Sequence, residues 1–357
     1  MINAHLSINK ILIVGPSWIG DMVMAQSLFK ALKADNPNVI IDVLALAWTK
    51  PLLDRMPEVN QAITMPVSHG VFGWGMRKKI GRELQKNNYD QAIILPNSWK
   101  SALIPWFAKI PVRTGWRGEM RYGLLNDIRT LDKLALPMMV QRYVSLAYPK
   151  SQAQIAPSYQ APHMIAEMVN TDLVPALNKD SRRLILCPGA EFGPAKQWPA
   201  KYYAQVAQQL IQQGWQVLIL GSKADHPIAS DITSQISSSQ VQFIHNLCGD
   251  TELQDAIDIL ATADAVISND SGLMHIAAAL HTPLIAIYGP TSPNFTPPLA
   301  ENAHIIQFDV DCGPCFQRNC PEQHHRCMQE ISSKQIVNLA QNFKLTTSEM
   351  DVLDGSN

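Results

Sequence analysis

The chain has 357 residues, a net charge of −1, 46% hydrophobic and 17% charged residues. This length accommodates two domains, and the near-zero charge argues against a global field directed at nucleic acid. No apolar run reaches the ~18–20 residues of a membrane span, and the apolar run 11–14 is too short for a signal-peptide core. We therefore expect a cytoplasmic protein whose six cysteines are reduced.

The first half alternates between strand and helix. Apolar runs predict strands at residues 10–15, 39–46, 91–96 and 112–115, and helices are predicted at 22–34, 76–87, 99–109 and 138–148. Strands separated by helices indicate a parallel, doubly wound α/β sheet. Four prolines between residues 149 and 175 then punctuate a stretch of weak periodicity. The first domain is accordingly predicted to cover residues 1–175.

The second half repeats this pattern. Strands are predicted at 183–187, 216–220, 242–246, 265–268, 284–288 and 304–308, and helices at 200–213, 226–236, 252–263, 273–280 and 332–343. A second Rossmann-like domain is therefore predicted at 176–330, with a final helix and tail at 331–357. Two such halves facing each other would form a cleft, where ligands usually bind.

The most informative segment follows the predicted strand at 265–268. Asn269, Asp270, Ser271 and Gly272 lead directly into a helix that carries His275 one turn further on. Free backbone N–H groups and the positive end of a helix dipole favour a phosphate or diphosphate at such a turn. The alternative is an ordinary helix cap, because Asp and Ser are common there.

Two other loops occupy corresponding positions. Asp21 follows the first strand in Gly-Pro-Ser-Trp-Ile-Gly-Asp, where a carboxylate ionised at neutral pH can act as a general base. A helix-capping role for Asp21 is the alternative. Lys196 ends the loop after the strand at 183–187 and can neutralise a phosphate, or can be an ordinary surface lysine. Neither loop has the G-x-G-x-x-G or G-K-[ST] signature.

Weaker signals come from two further loops and from a basic region. Asp225 can accept hydrogen bonds from ribose hydroxyls, and the loop 248–251 can contact a nucleotide base through its backbone. Between Arg77 and Arg142, thirteen Lys and Arg residues outnumber five acidic ones. This excess indicates an anionic partner such as a phosphorylated glycolipid, a membrane surface or nucleic acid. A solvated helix face is the alternative.

Two patterns suggest metal binding only weakly. Cys312, Cys315, Cys320 and Cys327 have C-x2-C-x4-C-x6-C spacing, for which reduced structural cysteines are favoured over a zinc site. The Asp-Val-Asp triplet at 309–311 resembles a D-x-D metal pair, but it follows the last predicted strand and is interpreted as coincidence.

Taken together, the segments resemble the bacterial lipopolysaccharide heptosyltransferases of glycosyltransferase family 9, over nearly the whole chain. The resemblance rests on six segments: residues 15–25, 96–103, 113–126, 196–199 and 269–275, and the Cys-Gly-Pro-Cys to His-His-Arg-Cys-Met tail. It implies a GT-B fold, with the acceptor on the N-terminal and the nucleotide sugar on the C-terminal Rossmann-like domain. It also implies that the final helix crosses back to the N-terminal domain.

The resemblance further implies inverting transfer of a heptose from ADP-heptose to the first inner-core heptose of lipid A–Kdo–heptose, without metal or other cofactor. Peripheral contact with the cytoplasmic face of the inner membrane, and no nucleic acid, would follow. The implied catalytic residues are Asp21 as base, with Lys196 and His275 at the leaving group. The implied donor contacts are Lys196, Asp225, Gly249, Thr251, Leu253, Asp270, Ser271, Gly272 and His275. The expected acceptor contacts are Ser17, Trp18, Lys100, Arg113, Arg117 and Arg121.

One departure from the family pattern affects the donor phosphates. Glu191 and Phe192 replace hydroxyl residues that precede the phosphate-binding lysine in related enzymes. Two alternatives remain open. One is a related glycosyltransferase with another donor, either heptosyltransferase I-like or using a UDP-sugar. The other is a non-catalytic protein that binds anionic glycolipids through the basic first half.

Overall fold

The computed structural model describes residues 8–66, 71–170 and 181–343. The chain divides into two compact units. The first contains Met1–Glu167 together with Ala278–Leu280 and Ser292–Glu301, and the second contains the remainder. The division falls after Glu167, earlier than the boundary predicted at residue 175, which lies outside the described residues.

Within the described part of the first unit, six parallel strands form one sheet in the order β3-β2-β1-β4-β5-β6. The strands are β1 (Lys10–Val14), β2 (Ile40–Ala45), β3 (Gln61–Thr64), β4 (Gln91–Ile94), β5 (Val112–Trp116) and β6 (Asp127–Arg129). The helices are α1 (Ile19–Asp35), α2 (Lys50–Asp54), α3 (Trp74–Leu84), α4 (Leu103–Phe107) and α5 (Met139–Val144).

The second unit repeats the architecture. Among its described residues a parallel sheet has the order β12-β11-β10-β7-β8-β9. Its strands are β7 (Arg183–Cys187), β8 (Gln216–Ile219), β9 (Ile244–Asn246), β10 (Ala265–Asn269), β11 (Leu284–Tyr288) and β12 (Ala303–Gln307). Its helices are α6 (Ala200–Ile211), α7 (His226–Ser234), α8 (Leu253–Ala261), α9 (Gly272–Ala279), α10 (Arg326–Gln329) and α11 (Ser333–Asn342). The predicted doubly wound α/β class is confirmed.

Among the strands and α-helices described above, four short elements were not predicted: the two edge strands of the first sheet, β3 and β6, and the helices α2 and α10. The strands β3 and β6 were not predicted, because each is short and only partly buried and lacks the continuous apolar run of a central strand. The helix predicted at 99–109 begins as a 3-10 turn, Trp99–Ala102, and becomes α-helical only as α4.

The final helix packs within the second unit. Ile336, Val337 and Ala340 of α11 belong to the same apolar core as Trp198 and Leu210. The apolar face of this helix is buried against α6 and β11. The expected crossing of the segment 331–357 to the N-terminal domain stays a prediction. The tail beyond residue 343 lies outside the described residues.

In each unit the loops that carry the predicted site residues lie at the carboxyl ends of parallel strands. In the first sheet, β1 lies between β2 and β4, and in the second β7 lies between β10 and β8. At these positions the chain order reverses, and loops on either side of such a switch point leave a crevice in which ligands bind.

Candidate active site

Asn269 connects the ends of β10 and β7. Its buried carboxamide donates to the Pro188 carbonyl oxygen at 2.7 Å and accepts from the Trp198 N–H at 3.1 Å and the Tyr203 hydroxyl at 3.0 Å. Three hydrogen bonds to two different segments fix the turn after β10 relative to the loop that carries Lys196. The Asn side chain is thus a structural part of the site.

Lys196 and Asp270 form an ion pair at this point. The Lys196 Nζ lies 2.6 Å from Asp270 Oδ2, and the two side chains are only 12% and 6% exposed. The Thr291 hydroxyl donates to the same carboxylate oxygen at 2.6 Å. The ion pair therefore positions Lys196, and whether Asp270 itself contacts the donor stays a prediction. Thr291 was not predicted, because it follows β11, far away in the sequence.

The helix α9 begins beside this ion pair. Ser271 immediately precedes its first residue, Gly272, and the Ser271 hydroxyl accepts from the Met274 N–H at 3.4 Å. The other N–H groups of the first turn have no intrahelical acceptor, which is the arrangement that binds phosphate groups. The structure therefore places Lys196, Asp270, Ser271 and Gly272 close together, and their binding of the donor diphosphate stays a prediction.

His275 is buried one turn into α9. Burial lowers its pKa from 6.5 to about 4, with a smaller opposing effect of Asp270 and a further lowering by Lys196. The imidazole is therefore neutral at pH 7, so any hydrogen bond it donates comes from a neutral ring.

Because the pKa of His275 is lower in the folded than in the unfolded state, the unfolded state takes up the proton first as pH falls. The stability that neutral His275 contributes is thus complete above pH 6.5 and lost progressively toward pH 4. Between pH 7 and pH 4.5, we expect the unfolding free energy of the wild type to fall by about 2 kcal/mol more than that of His275→Gln. Urea unfolding at both pH values measures this, and equal losses would contradict it.

The loop before Lys196 contains two features that the sequence did not reveal. The Phe192 ring lies 5.0 Å from Lys196 Nζ and 5.5 Å from the Arg318 guanidinium carbon, in cation–π geometry. The Ala195 N–H also donates to the Arg318 carbonyl oxygen at 3.0 Å. Phe192, which departs from the family pattern, is thus a contact for two cations. Arg318 adds a second positive charge next to this loop. The sequence did not predict this, because Arg318 lies far from Phe192 along the chain.

The predicted adenosine contacts lie at the ends of β8 and β9. The Asp225 carboxylate accepts from the Ser222 N–H and hydroxyl, both at 2.8 Å. A Cβ on Gly189 would lie 2.6 Å from that carboxylate, so only glycine permits this approach of the two loops. Gly249, with φ of +85°, donates its N–H to the Gly221 carbonyl oxygen at 3.1 Å.

Thr251 and Leu253 complete this second loop. Thr251 is half-buried and its hydroxyl lies 3.5 Å from the Leu247 carbonyl oxygen, while Leu253 is the first residue of α8. Asp225, Gly249 and Thr251 therefore lie in the connections after β8 and β9, and Leu253 begins the helix that follows. Whether they contact adenosine stays a prediction.

In the first unit, Asp21 lies in the first turn of α1 and is half-buried. The buried hydroxyl of Tyr143, on α5, donates a hydrogen bond to the Asp21 carboxylate. Burial, and to a lesser degree the Asp21 charge, raise the pKa of Tyr143 well above its ordinary value, so the hydroxyl keeps its proton. Tyr143 thus orients the predicted base, a role that no local motif indicated.

We expect Tyr143→Phe to lower kcat about tenfold, as loss of one hydrogen bond to a charged group implies, without changing the KM for the donor. A hydrogen bond to an ionised carboxylate favours the ionised form, so its loss should move the acid limb of the kcat profile to higher pH. Tyr148→Phe, at an exposed tyrosine on the same segment, is the matched control. An unmoved pH profile would show that Tyr143 only packs.

The predicted acceptor residues lie on the loops after β1, β4 and β5. Ser17 is half-buried and Trp18 is 46% exposed, in the loop between β1 and α1. Lys100 follows β4, and Arg117 is exposed directly after β5. The loops after β4 and β5 contact each other, because the Glu119 carboxylate accepts from the Trp99 N–H at 2.7 Å.

Two predicted acceptor residues, Arg113 and Arg121, also make hydrogen bonds inside the first unit. Arg121 is 2% exposed, and its guanidinium donates to the Pro96 carbonyl oxygen at 2.7 Å and to that of Trp116. These contacts hold the Arg121 guanidinium inside the protein, and its contact with the acceptor stays a prediction. Arg113 is half-buried and donates to the Leu124 and Ile110 carbonyl oxygens, which braces the same loop.

Residues 77–326 match the model of glycosyltransferase family 9, the heptosyltransferases. Lipopolysaccharide heptosyltransferase 2 of Salmonella typhimurium is 48% identical over 335 residues, covering 92% of this chain and 96% of that protein. The chain belongs to glycosyltransferase family 9.

One further relative and one solved structure also support membership of glycosyltransferase family 9. Lipooligosaccharide heptosyltransferase 2 of Haemophilus influenzae is 50% identical over 308 residues, covering 83% of this chain and 88% of that protein. The structure of E. coli ADP-heptose lps heptosyltransferase II superposes with a TM-score of 0.83 at 45% identity, covering 93% of this chain and 97% of that one. The GT-B fold implied by the sequence is thereby confirmed, and the protein is a glycosyltransferase.

The cysteines of this glycosyltransferase are free. Burial, with smaller contributions from Cys320, Cys315 and Cys312, raises the pKa of Cys327 to about 11, so this residue is a thiol at pH 7. Within residues 8–66, 71–170 and 181–343, no three or more His, Cys, Asp or Glu side chains form a group able to hold a metal ion. Asp309 and Asp311 are exposed after β12.

Proposed function

We propose that this protein transfers L-glycero-D-manno-heptose from ADP-heptose to the first inner-core heptose of nascent lipopolysaccharide, with inversion at the anomeric carbon. The observation that carries the proposal is the Lys196–Asp270 ion pair at the start of α9, in a chain 48% identical to a lipopolysaccharide heptosyltransferase 2. This combination supports a diphosphate-binding role for the start of α9 in a family of heptose-transferring enzymes.

The proposed reaction is a single in-line displacement. Asp21, oriented by the Tyr143 hydroxyl, removes the proton of the acceptor hydroxyl as its oxygen bonds to the anomeric carbon. The bond from that carbon to the diphosphate oxygen breaks on the opposite face, and ADP leaves with the electron pair. One displacement inverts the configuration, so one base suffices.

The leaving diphosphate needs charge stabilisation, which the second unit offers. Lys196 provides a preorganised cation, the first turn of α9 provides backbone N–H groups, and Arg318 provides a second cation next to Phe192. Preorganised donors of this kind are worth ~3 kcal/mol each in the transition state. We therefore propose that transfer proceeds without a divalent metal.

The acceptor in this proposal is a glycolipid, so the protein works as a peripheral enzyme at the cytoplasmic face of the inner membrane. Among the described residues, no helix is long and apolar enough to cross a bilayer. Exposed Trp18 and Arg117 on the loops after β1 and β5 provide apolar and cationic contacts for the phosphorylated sugar end of such a lipid.

The test is the mass of the product formed from ADP-heptose and mono-heptosylated Kdo2-lipid A, with EDTA present. A gain of one heptose with release of ADP is expected. No gain by a folded protein that binds ADP would contradict the acceptor. Product formation only with a UDP-sugar would contradict the donor, and transfer that requires added magnesium would contradict the metal-independent mechanism.

A further inference from the structure

Five aromatic side chains form a cluster around the start of α3, on the 3-10 turn Trp99–Ala102 and on α4. Phe72, Trp74 and Trp99 are stacked, with ring centroids 5.8–6.4 Å apart, and Phe107 meets Trp74 and Trp106 edge-on at 5.1 and 4.9 Å. The cluster is not a core, because Phe72, Trp74 and Trp106 are each between 43% and 46% exposed. Exposed apolar clusters of this kind mark interaction sites.

The cluster is held rigidly by a buried arginine. Arg77 is 3% exposed, and its guanidinium donates to the Phe72 carbonyl oxygen at 2.7 Å and to the Lys100 carbonyl oxygen at 3.3 Å. The helices beneath also pack closely, since a Cβ on Gly81 would lie 2.4 Å from the Phe107 Cβ. The fold therefore presents these rings to solvent at a fixed position.

The same helix carries a cationic face next to the aromatic rings. Gly75, Lys78, Lys79, Arg82, Glu83 and Lys86 line one shallow surface depression. Their spacing of three and four residues places them on one side of α3 and of the 3-10 turn Gln85–Asn87 that continues it; we call this side the cationic face of α3. Four cations oppose one carboxylate there, and none of the four cations has an ion-pair partner among the described residues. This local excess of positive charge occurs on a chain whose net charge is −1.

We infer that the aromatic cluster and the cationic face of α3 together form a docking surface for an anionic lipid bilayer. Trp rings prefer the polar–apolar boundary of a membrane, and adjacent Lys and Arg are attracted to anionic headgroups. This inference rests on the proposed function in one respect: a glycolipid acceptor keeps the enzyme's substrate in a bilayer. The surface includes neither Asp21 nor Lys196, so docking and chemistry are testable independently.

The experiment measures binding to vesicles without acceptor, by co-sedimentation. One set contains equal parts of phosphatidylglycerol and phosphatidylcholine, and the other contains phosphatidylcholine alone. We expect the wild type to bind the anionic vesicles more tightly and to release them as salt rises. The triple variant Lys79→Glu/Arg82→Glu/Lys86→Glu should bind them about 100-fold more weakly. Trp106→Ser, which removes one exposed ring, should weaken binding about tenfold.

The control is the triple variant Lys133→Glu/Lys150→Glu/Lys201→Glu, which changes the net charge equally at exposed lysines outside the surface. Equal binding by the two triple variants would overturn the inference, as would equal binding of the wild type to both vesicle sets. The wild type could instead prove to be a dimer that Trp106→Ser dissociates without changing vesicle binding. That result would show that the surface binds a second copy of the chain and not a bilayer.

Transfer to a deacylated, water-soluble acceptor separates docking from catalysis. The Lys79→Glu/Arg82→Glu/Lys86→Glu variant should retain wild-type turnover with this acceptor and lose vesicle binding. A wild type that docks on vesicles but transfers no heptose would remove the proposed function and leave the docking surface. Loss of soluble-acceptor turnover in the triple variant would instead make the cationic face part of the acceptor site, and the inference would be wrong.

Discussion

Replacing Asp21 with Asn is expected to lower kcat by about 10²–10⁴-fold, the contribution typical of a general base. The amide cannot accept the proton of the attacking hydroxyl, but its oxygen can still accept the hydrogen bond that Tyr143 donates to the native carboxylate. The variant should therefore fold with the stability of the wild type and bind ADP with nearly unchanged affinity. Steady-state kinetics, thermal unfolding and ADP titration measure the three quantities.

Asp35→Asn is the matched control, because Asp35 is an exposed carboxylate at the opposite end of the same helix. It should leave kcat unchanged. Wild-type turnover in Asp21→Asn would remove Asp21 as the base, whereas a fall in both stability and turnover would mean that the residue mainly holds α1 and α5 together.

Replacing Lys196 with Met is expected to weaken ADP binding about 10- to 100-fold, the effect of losing one charge-assisted hydrogen bond. The value of kcat should fall about 10²–10³-fold, because a preorganised cation at the leaving group is lost. This variant also leaves the Asp270 carboxylate buried without its cation, which typically destabilises a protein by about 3–5 kcal/mol. Loss of function and loss of stability must therefore be separated.

The double variant Lys196→Met/Asp270→Asn separates them. It removes both charges of the buried pair, and the new carboxamide at position 270 retains an oxygen that can accept a hydrogen bond from the Thr291 hydroxyl. Its thermal stability should return toward that of the wild type while ADP binding stays weak. Recovery of ADP affinity together with stability would show that Lys196 acts only structurally. Lys201→Ala, at an exposed lysine on α6, controls for loss of positive charge.

The ion pair also explains how an acidic residue can belong to the proposed diphosphate site. Asp270 is held by Lys196 and Thr291, and Asn269 next to it is held by Trp198 and Tyr203. The turn after β10 is thus fixed before any ligand binds. Such preorganisation lets the site stabilise charge on the leaving group without rearranging its own dipoles during the reaction.

Part of the positive charge between Arg77 and Arg142 is buried inside the first unit. Arg77, Arg121 and Arg129 all count toward the positive charge of that region, but each is buried. Their guanidinium groups hold carbonyl oxygens of neighbouring loops, as the contact of Arg129 with the Ser145 carbonyl oxygen at 2.9 Å shows. Only some of the basic side chains of this region are therefore exposed to solvent, and four of them lie together on the cationic face of α3.

By itself, the sequence determined the fold class and the loops that carry the site. Buried parallel strands such as β7 and β10 are continuous apolar runs, and the short polar turns after them, with Lys196 and with Asp270 to Gly272, are local patterns. Edge strands β3 and β6 were missed because short, half-exposed strands have no such pattern.

Only the tertiary structure decided which distant side chains meet. The contacts of Tyr143 with Asp21, Thr291 with Asp270 and Arg318 with Phe192 each join segments far apart in the chain. No periodicity encodes such pairs, because they depend on the order in which strands assemble into a sheet and on helix packing across it. The same reason explains why Arg121 is a buried brace: its surroundings are set by the loop after β4, which local sequence does not reveal.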